Sequence, residues 1–220
     1  NDRFTNTSDG LTETSMLTTT EKDGATEYYT VRTGDLRQQE IIYTVYPYGI
    51  VDLDVTLDPE KDNLRRAGVV LYLDAALNNV DYFAQGPWEN YNDRRDGVLA
   101  GRYSTKVTEM VTNYMKPQSC GGRENLRSLV LTDDNGRGLK FEVESKYDAV
   151  SFSALPYTDE ELMNAQHQWD LTPGKRVVLH LDACTRGVGN ASCGADVDTL
   201  PQDRVQKKSY HFRVRISPVK

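Results

Sequence analysis

Nine consecutive residues, Gly86-Pro87-Trp88-Glu89-Asn90-Tyr91-Asn92-Asp93-Arg94, put two aromatic rings, two carboxylates, two amides and a guanidinium directly behind a Gly-Pro turn. That mixture suits carbohydrate recognition. An aromatic face stacks on the C–H surface of a sugar while polar groups hydrogen-bond its hydroxyls. Trp88 or Tyr91 would be the platform, and Glu89, Asn90, Asp93 and Arg94 the polar set. The same residues equally suit a buried lock, with Arg94 paired to a carboxylate across a long loop and Trp88 in the core. Both readings are open at this level. A second group follows about thirty residues on, Cys120-Gly121-Gly122-Arg123-Glu124-Asn125. Its glycines allow a close backbone approach, which would bring Arg123 towards the first segment. A structural Arg123–Asp93 or Glu124–Arg94 pair is the expectation. The third group is Gly187-Val188-Gly189-Asn190-Ala191-Ser192-Cys193-Gly194, an exposed loop of unusual backbone geometry. It lacks the spacing and strand-to-helix setting of a dinucleotide fingerprint.

Other chemistries find little support. His167, His180 and His211 are far apart, and no CxxC, HxxxH or Asp-rich calcium loop occurs, so no metal or cofactor site is expected. The 33 Asp and Glu residues guarantee that some carboxylates lie close together, but spacing singles out no pair. Cys120, Cys184 and Cys193 cannot all pair with one another, and free thiols are favoured over a Cys184–Cys193 bridge.

The elements that must position these groups read as strands. Val51, Leu53, Val55 and Leu57 alternate with Asp52, Asp54 and Thr56. The same period of two recurs at 139–144 and 210–216, each a strand with one wet face. Further strands are expected at 27–33, 41–46, 67–74, 79–84, 127–132, 149–155 and 176–183. Asp134-Asn135-Gly136 predicts a hairpin with a type I′ turn. Thr158-Asp159-Glu160-Glu161 has capping-box spacing and opens one short helix ending before Trp169 or Pro173. The Thr-rich first 25 residues could add edge strands. About ten or more strands with one helix give an all-β sandwich in a single domain.

Charge narrows the function class. A net charge of -7 and scattered basic residues argue against nucleic-acid binding. No apolar run approaches the roughly 18 residues of a membrane span. No leader pattern is visible at the N-terminus, and Asn1-Asp2-Arg3-Phe4 reads as cut from something longer.

In family order and spacing, GPWENYxDR, PQSCGGREN and the late glycine-rich loop resemble the C-terminal, or small-chain, domain of family 2 β-galactosidases. Arg66-Ala67-Gly68, Asn79-Val80-Asp81-Tyr82-Phe83, Phe152-Ser153-Ala154-Leu155 and the Leu181-Asp182 strand end belong to the same pattern. The likeness is best over 66–218, whereas 1–65 share only the rhythm of the strands. It implies a galactose-mutarotase-like supersandwich of large antiparallel sheets with one short helix. It also implies that 1–220 form a single domain cut from a larger enzyme. Such a parent hydrolyses terminal β-D-galactosides with retention, using two glutamates on a TIM barrel. This chain has no barrel motifs, and a barrel typically needs about 250 residues. No catalytic residue is therefore expected here, and the fragment alone should be inactive.

The implied partners are the barrel and other domains of the parent, together with galactoside sugars. A homo-oligomeric parent and a bacterial cytoplasmic or periplasmic location are left open. The implied rim residues are Trp88, Glu89, Asn90, Asp93, Arg94, Arg123, Glu124, Asn190, Ser192 and Cys193. Some relatives carry a tryptophan in the late loop, where this chain has Ser192-Cys193-Gly194. That departure puts aromatic stacking of a leaving sugar in doubt, although another subset of the family shares the SCG-like loop. Two alternatives remain. One is a stand-alone carbohydrate-binding module built on Trp88 and Tyr91. The other is an aldose mutarotase-like enzyme using His167 in acid–base chemistry.

Overall fold

The computed structural model describes residues 13–20, 26–33, 39–59, 61, 64–189 and 199–220. Its strands are β1 (Glu13–Thr20), β2 (Thr26–Thr33), β3 (Gln39–Val45), β4 (Val51–Leu57), β5 (Arg66–Asp74), β6 (Asn79–Gly86) and β7 (Leu99–Lys106). They continue as β8 (Arg123–Leu126), β9 (Ser128–Thr132), β10 (Gly138–Val143), β11 (Val150–Leu155), β12 (Arg176–Thr185) and β13 (Tyr210–Val219). The α-helix α1 (Asp159–Asn164) lies between β11 and β12. Nine strands form one sheet in the order β1-β2-β3-β4-β13-β10-β9-β6-β7, and four form a second in the order β5-β12-β11-β8. Every pairing between these strands is antiparallel. The expected all-β architecture of large antiparallel sheets with one short helix is what the chain adopts.

The alternation read from the sequence decides which side of each sheet is dry. Leu53, Val55 and Leu57 of β4 are buried beside Phe212 and Val214 of β13 and Phe141 of β10. The same core takes Leu126, Phe152, Leu179 and Leu181 from the small sheet, so the two sheets share one interior. Tyr82 of β6 meets Phe152 of β11 edge-on at 5.3 Å between ring centroids, an aromatic contact across that interior. On the opposite face of β4, Asp52 accepts hydrogen bonds from Arg213 Nη2 at 2.7 Å and Arg215 Nε at 2.7 Å. Burial raises the Asp52 pKa, but these two guanidinium groups outweigh it and hold the carboxyl below its usual range.

The ten strands expected from the sequence form within a few residues of their predicted limits. Three more were not expected as such: β1, β7 and β8. β1 is an edge strand drawn from the Thr-rich segment. The 133–137 hairpin also forms, with Asp133 N–H donating to Arg137 O at 2.8 Å. Its turn is not type I′. Only Gly136 has positive φ, at 78°, and Asp133 Oδ1 accepts from the Asn135 and Arg137 amides. That side chain stabilises a turn through Asp134 and Asn135 closed by a left-handed glycine, the three-residue hairpin solution. The helix begins as read, with Thr158 Oγ1 accepting from the Glu161 amide and the Glu161 carboxylate accepting from the Thr158 amide.

Candidate functional site

The segment that follows β6 turns sharply at Arg94, because the Tyr91 and Arg94 backbones bond each other at 2.9 and 3.3 Å. This folds Glu89, Asn90 and Asp93 into three directions, and each becomes the hub of a separate set of bonds. Glu89 Oε1 accepts from Tyr114 Oη and Arg94 Nη2. Glu89 Oε2 accepts from Thr112 Oγ1 at 2.8 Å and from the Gly121 amide at 2.6 Å. Its side chain is only 7% exposed. Burial pushes the Glu89 pKa up, but the bonds from Tyr114, Gly121 and Thr112 and the Arg94 charge hold it below the ordinary glutamate range.

Asn90 is fully buried. Its Nδ2 donates to Gln85 O at 3.1 Å and Trp88 O at 2.8 Å, and its Oδ1 accepts from the Glu124 amide at 2.9 Å. It therefore clamps the turn after β6 onto β8. Gly122 is required beside it, since a Cβ there would stand 2.8 Å from the Tyr91 ring. Asp93 reaches a different partner, accepting from the Val188 amide at 3.1 Å and the Gly189 amide at 2.5 Å. Asn92 Nδ2 adds a bond to Asp203 O at 3.2 Å, on the far side of the same loop. A Cβ on Gly187 would lie 2.5 Å from the Asp93 carboxyl carbon, so glycine at that position leaves the carboxylate room to reach the loop. Asp93 thus fixes the point at which the glycine-rich loop leaves β12. Asn190, Ser192 and Cys193 lie outside the described residues.

The expected Arg123–Asp93 and Glu124–Arg94 pairs do not form. Arg123 and Glu124 are successive residues of β8 and point to opposite faces of the sheet. Arg123 turns inward, where its Nε donates to Tyr82 Oη at 3.3 Å and its Nη1 to Gly122 O at 3.0 Å. Glu124 turns the other way and accepts from Thr185 Oγ1 at 3.2 Å. Burial raises its carboxyl to about 7. Arg94 pairs instead with Glu89, five residues before it, and lies 5.4 Å from the Tyr91 ring centroid. Trp88 is not a core residue. It is 72% exposed, as is Trp169 at 79%.

Sequence reasoning missed most of the partners. Thr112 and Tyr114 complete the Glu89 hub from 23 and 25 residues away, and no local spacing marks them, whereas Gly121 belongs to the glycine turn whose close approach to this segment was expected. Arg66, Ser119, Ser151, Ser153, Asp182 and Thr185 gather behind Glu124 around a small recess. Of these, Arg66, Ser119, Ser153 and Asp182 lay within stretches already conspicuous in the sequence. His167 is a surface residue stacked on Trp169 at 4.3 Å, with Asp170 Oδ2 at 3.6 Å. Cys184 is a free thiol. Among the described residues no three His, Cys, Asp or Glu side chains converge as a metal set, and no helix is long and apolar enough to cross a membrane.

The family model described as Beta galactosidase small chain matches residues 2–216. A β-galactosidase of Priestia megaterium is 30% identical over 151 residues, which are 68% of this chain and 14% of that one. The β-galactosidase small subunit of Latilactobacillus sakei is 37% identical over 139 residues, 57% of this chain and 42% of that one. The matched part of the chain therefore spans less than half the length of either relative. Among solved structures, a GalM/aldose epimerase homologue from C. elegans aligns over 92% of this chain and 68% of that one, at 10% identity and TM-score 0.41.

Proposed function

This chain belongs to the β-galactosidase small-chain family, and we propose that it is the C-terminal domain of an enzyme hydrolysing terminal β-D-galactosides. In this reading it packs on the catalytic barrel and lends the loop beginning at Gly187 to the wall of the sugar site. The observation that carries the proposal is the grip of Asp93 on the Val188 and Gly189 amides. A conspicuous polar motif is spent on fixing Val188 and Gly189, where the loop begins, which is what a contributing wall requires. Glu89 and Asn90 are likewise occupied by internal bonds and are not free to hold sugar hydroxyls. Exposed Trp88, Met115 and Trp169 favour a protein partner, since tryptophan and methionine are enriched at interfaces.

The purified chain should show no turnover of a chromogenic β-galactoside, because the two glutamates required would lie on the barrel. Hydrolysis by a preparation free of contaminating enzyme would overturn the proposal. One observation favours a second reading as a carbohydrate-binding module: the exposed ring of Trp88. Titration with lactose should leave its fluorescence unchanged under the first reading. A saturable change lost in Trp88→Phe would favour the second.

A further inference from the structure

All four strands of the small sheet send polar groups to the face turned away from the core. Arg66 comes from β5, Asp182 from β12, Ser151 and Ser153 from β11, and Glu124 from β8. Together with Ser119 they line a recess whose cavity volume is about 10 Å³. Asp182, opposite Gly68 in the strand register, is 2% exposed. A Cβ on Gly68 would come within 2.1 Å of Asp182 Oδ1, so the missing methyl is what lets this oxygen sit against β5. Asp182 Oδ2 accepts from Arg66 Nη1 at 3.2 Å, whereas buried Oδ1 receives no bond from any group of the described residues. Ser151 Oγ does not serve it, donating instead to the Asp182 carbonyl at 3.3 Å. A buried carboxylate oxygen strongly requires a donor.

The geometry points to a binding site for one ordered water in this recess, donating to Asp182 Oδ1 and joining it to the Glu124 carboxyl and the neighbouring serine hydroxyls. The cavity matches the roughly 10–15 Å³ that a single water needs, and the lining supplies the two to four polar partners that hold such a water. A sugar ring does not fit so small a space, and Arg66 already supplies the positive charge that a bound cation would bring. The site lies at the root of the glycine-rich loop, because Glu124 also accepts from Thr185, the last residue of β12. The water therefore ties the floor of the small sheet to the strand end from which the loop departs.

Titration of the surrounding groups is compatible with this role. Burial, opposed by the Thr185 hydrogen bond and the Arg95 charge and reinforced by Asp182 and Asp93, puts Glu124 at about 7. Burial puts Asp182 at about 6, with Arg66 lowering and Asp159 raising it. Burial and the Arg66 charge depress His180 to about 4, so it stays neutral near pH 7. Below pH 7 a protonated Glu124 can donate to the water while the water donates to Asp182.

A high-resolution crystal structure of the chain tests the assignment. One fully occupied water within hydrogen-bonding distance of Asp182 Oδ1 and the Glu124 carboxyl is the expected result. An empty or closed recess, a cation in it, or Asp182 turned so that both oxygens meet Arg66 would overturn it. Oxygen-17 relaxation dispersion provides the solution test, with Ser153→Val filling the recess. The variant should lose one long-lived internal water relative to wild type, and an unchanged count would overturn the site. Should the variant not fold, the wild-type crystal structure decides alone.

Discussion

Replacing Glu89 by glutamine keeps the shape of the side chain and removes the charge on which four donors converge. One oxygen becomes an NH₂ group, which must face either the Tyr114 and Arg94 donors or the Thr112 and Gly121 donors. Facing Gly121 would strand a backbone amide, so the amide should take the Tyr114 side, where the hydroxyl can rotate to accept. Hydrogen bonds to a charged group contribute about 1.5–3 kcal/mol and neutral ones about 0.5–1.5 kcal/mol. The bonds from Thr112 and Gly121, and the reversed bond to Tyr114, thus each weaken by about 1 kcal/mol. Arg94 is 49% exposed and adds little, because solvent screens it. The expected loss for Glu89→Gln is about 3 kcal/mol, read as a lower urea midpoint at unchanged slope. Arg94→Ala should cost less than about 1 kcal/mol. The sign with pH follows from the lowered Glu89 pKa. Its stabilisation is present above the unfolded value of 4.5 and is lost as pH falls through the folded value, and Glu89→Gln should lack that acid-side loss. A Glu89→Gln cost under about 1 kcal/mol, or an Arg94→Ala cost equal to it, would refute the lock.

Three other perturbations address separate parts of the account. Asp93→Ala should speed hydrogen exchange at the Val188 and Gly189 amides by tenfold or more, since about 1.4 kcal/mol of local protection is a factor of ten; unchanged exchange would show that another group holds the loop. Glu124 has a folded pKa of about 7 against 4.5 in the unfolded chain, so the folded state binds more protons between these values and stability falls as pH rises through them. The difference amounts to about 3 kcal/mol, and Glu124→Gln should flatten this limb of the stability–pH curve; a variant curve parallel to wild type would contradict the assignment. Trp88→Ala should change unfolding free energy by less than about 0.5 kcal/mol, as for other exposed sites, while weakening association with the rest of the enzyme, and an unaltered association constant would remove Trp88 from the interface.

The strands with one dry face were legible because burial imposes a period of two, as in Leu53, Val55 and Leu57 of β4. β7 carries no such signal. It is an edge strand with mostly exposed residues; its Leu99 faces solvent, and only Tyr103 packs against the core. β8 is four residues long and mostly polar, so its chemistry masks its geometry. The site was legible as a concentration of polar side chains but not as a set of partners. Glu89 draws on Thr112, Tyr114 and Gly121, and Asp93 on Val188 and Gly189, which only the three-dimensional fold brings near. The Arg123–Asp93 expectation failed because adjacent residues of an extended strand diverge, a constraint that becomes visible once 123–126 is known to be β8. Asp182 read as a strand-end residue, yet it sits inside β12, and its unpaired oxygen is a property of packing against Gly68.

The central claim is that this chain works as part of a larger β-galactosidase. Immunoprecipitation from the source cells with antibody to this chain, followed by assay of the precipitate on a chromogenic β-galactoside, tests it most directly. The account predicts that galactosidase activity is recovered with the chain and is depleted from the supernatant. Quantitative recovery of the chain with no activity in the precipitate would contradict it.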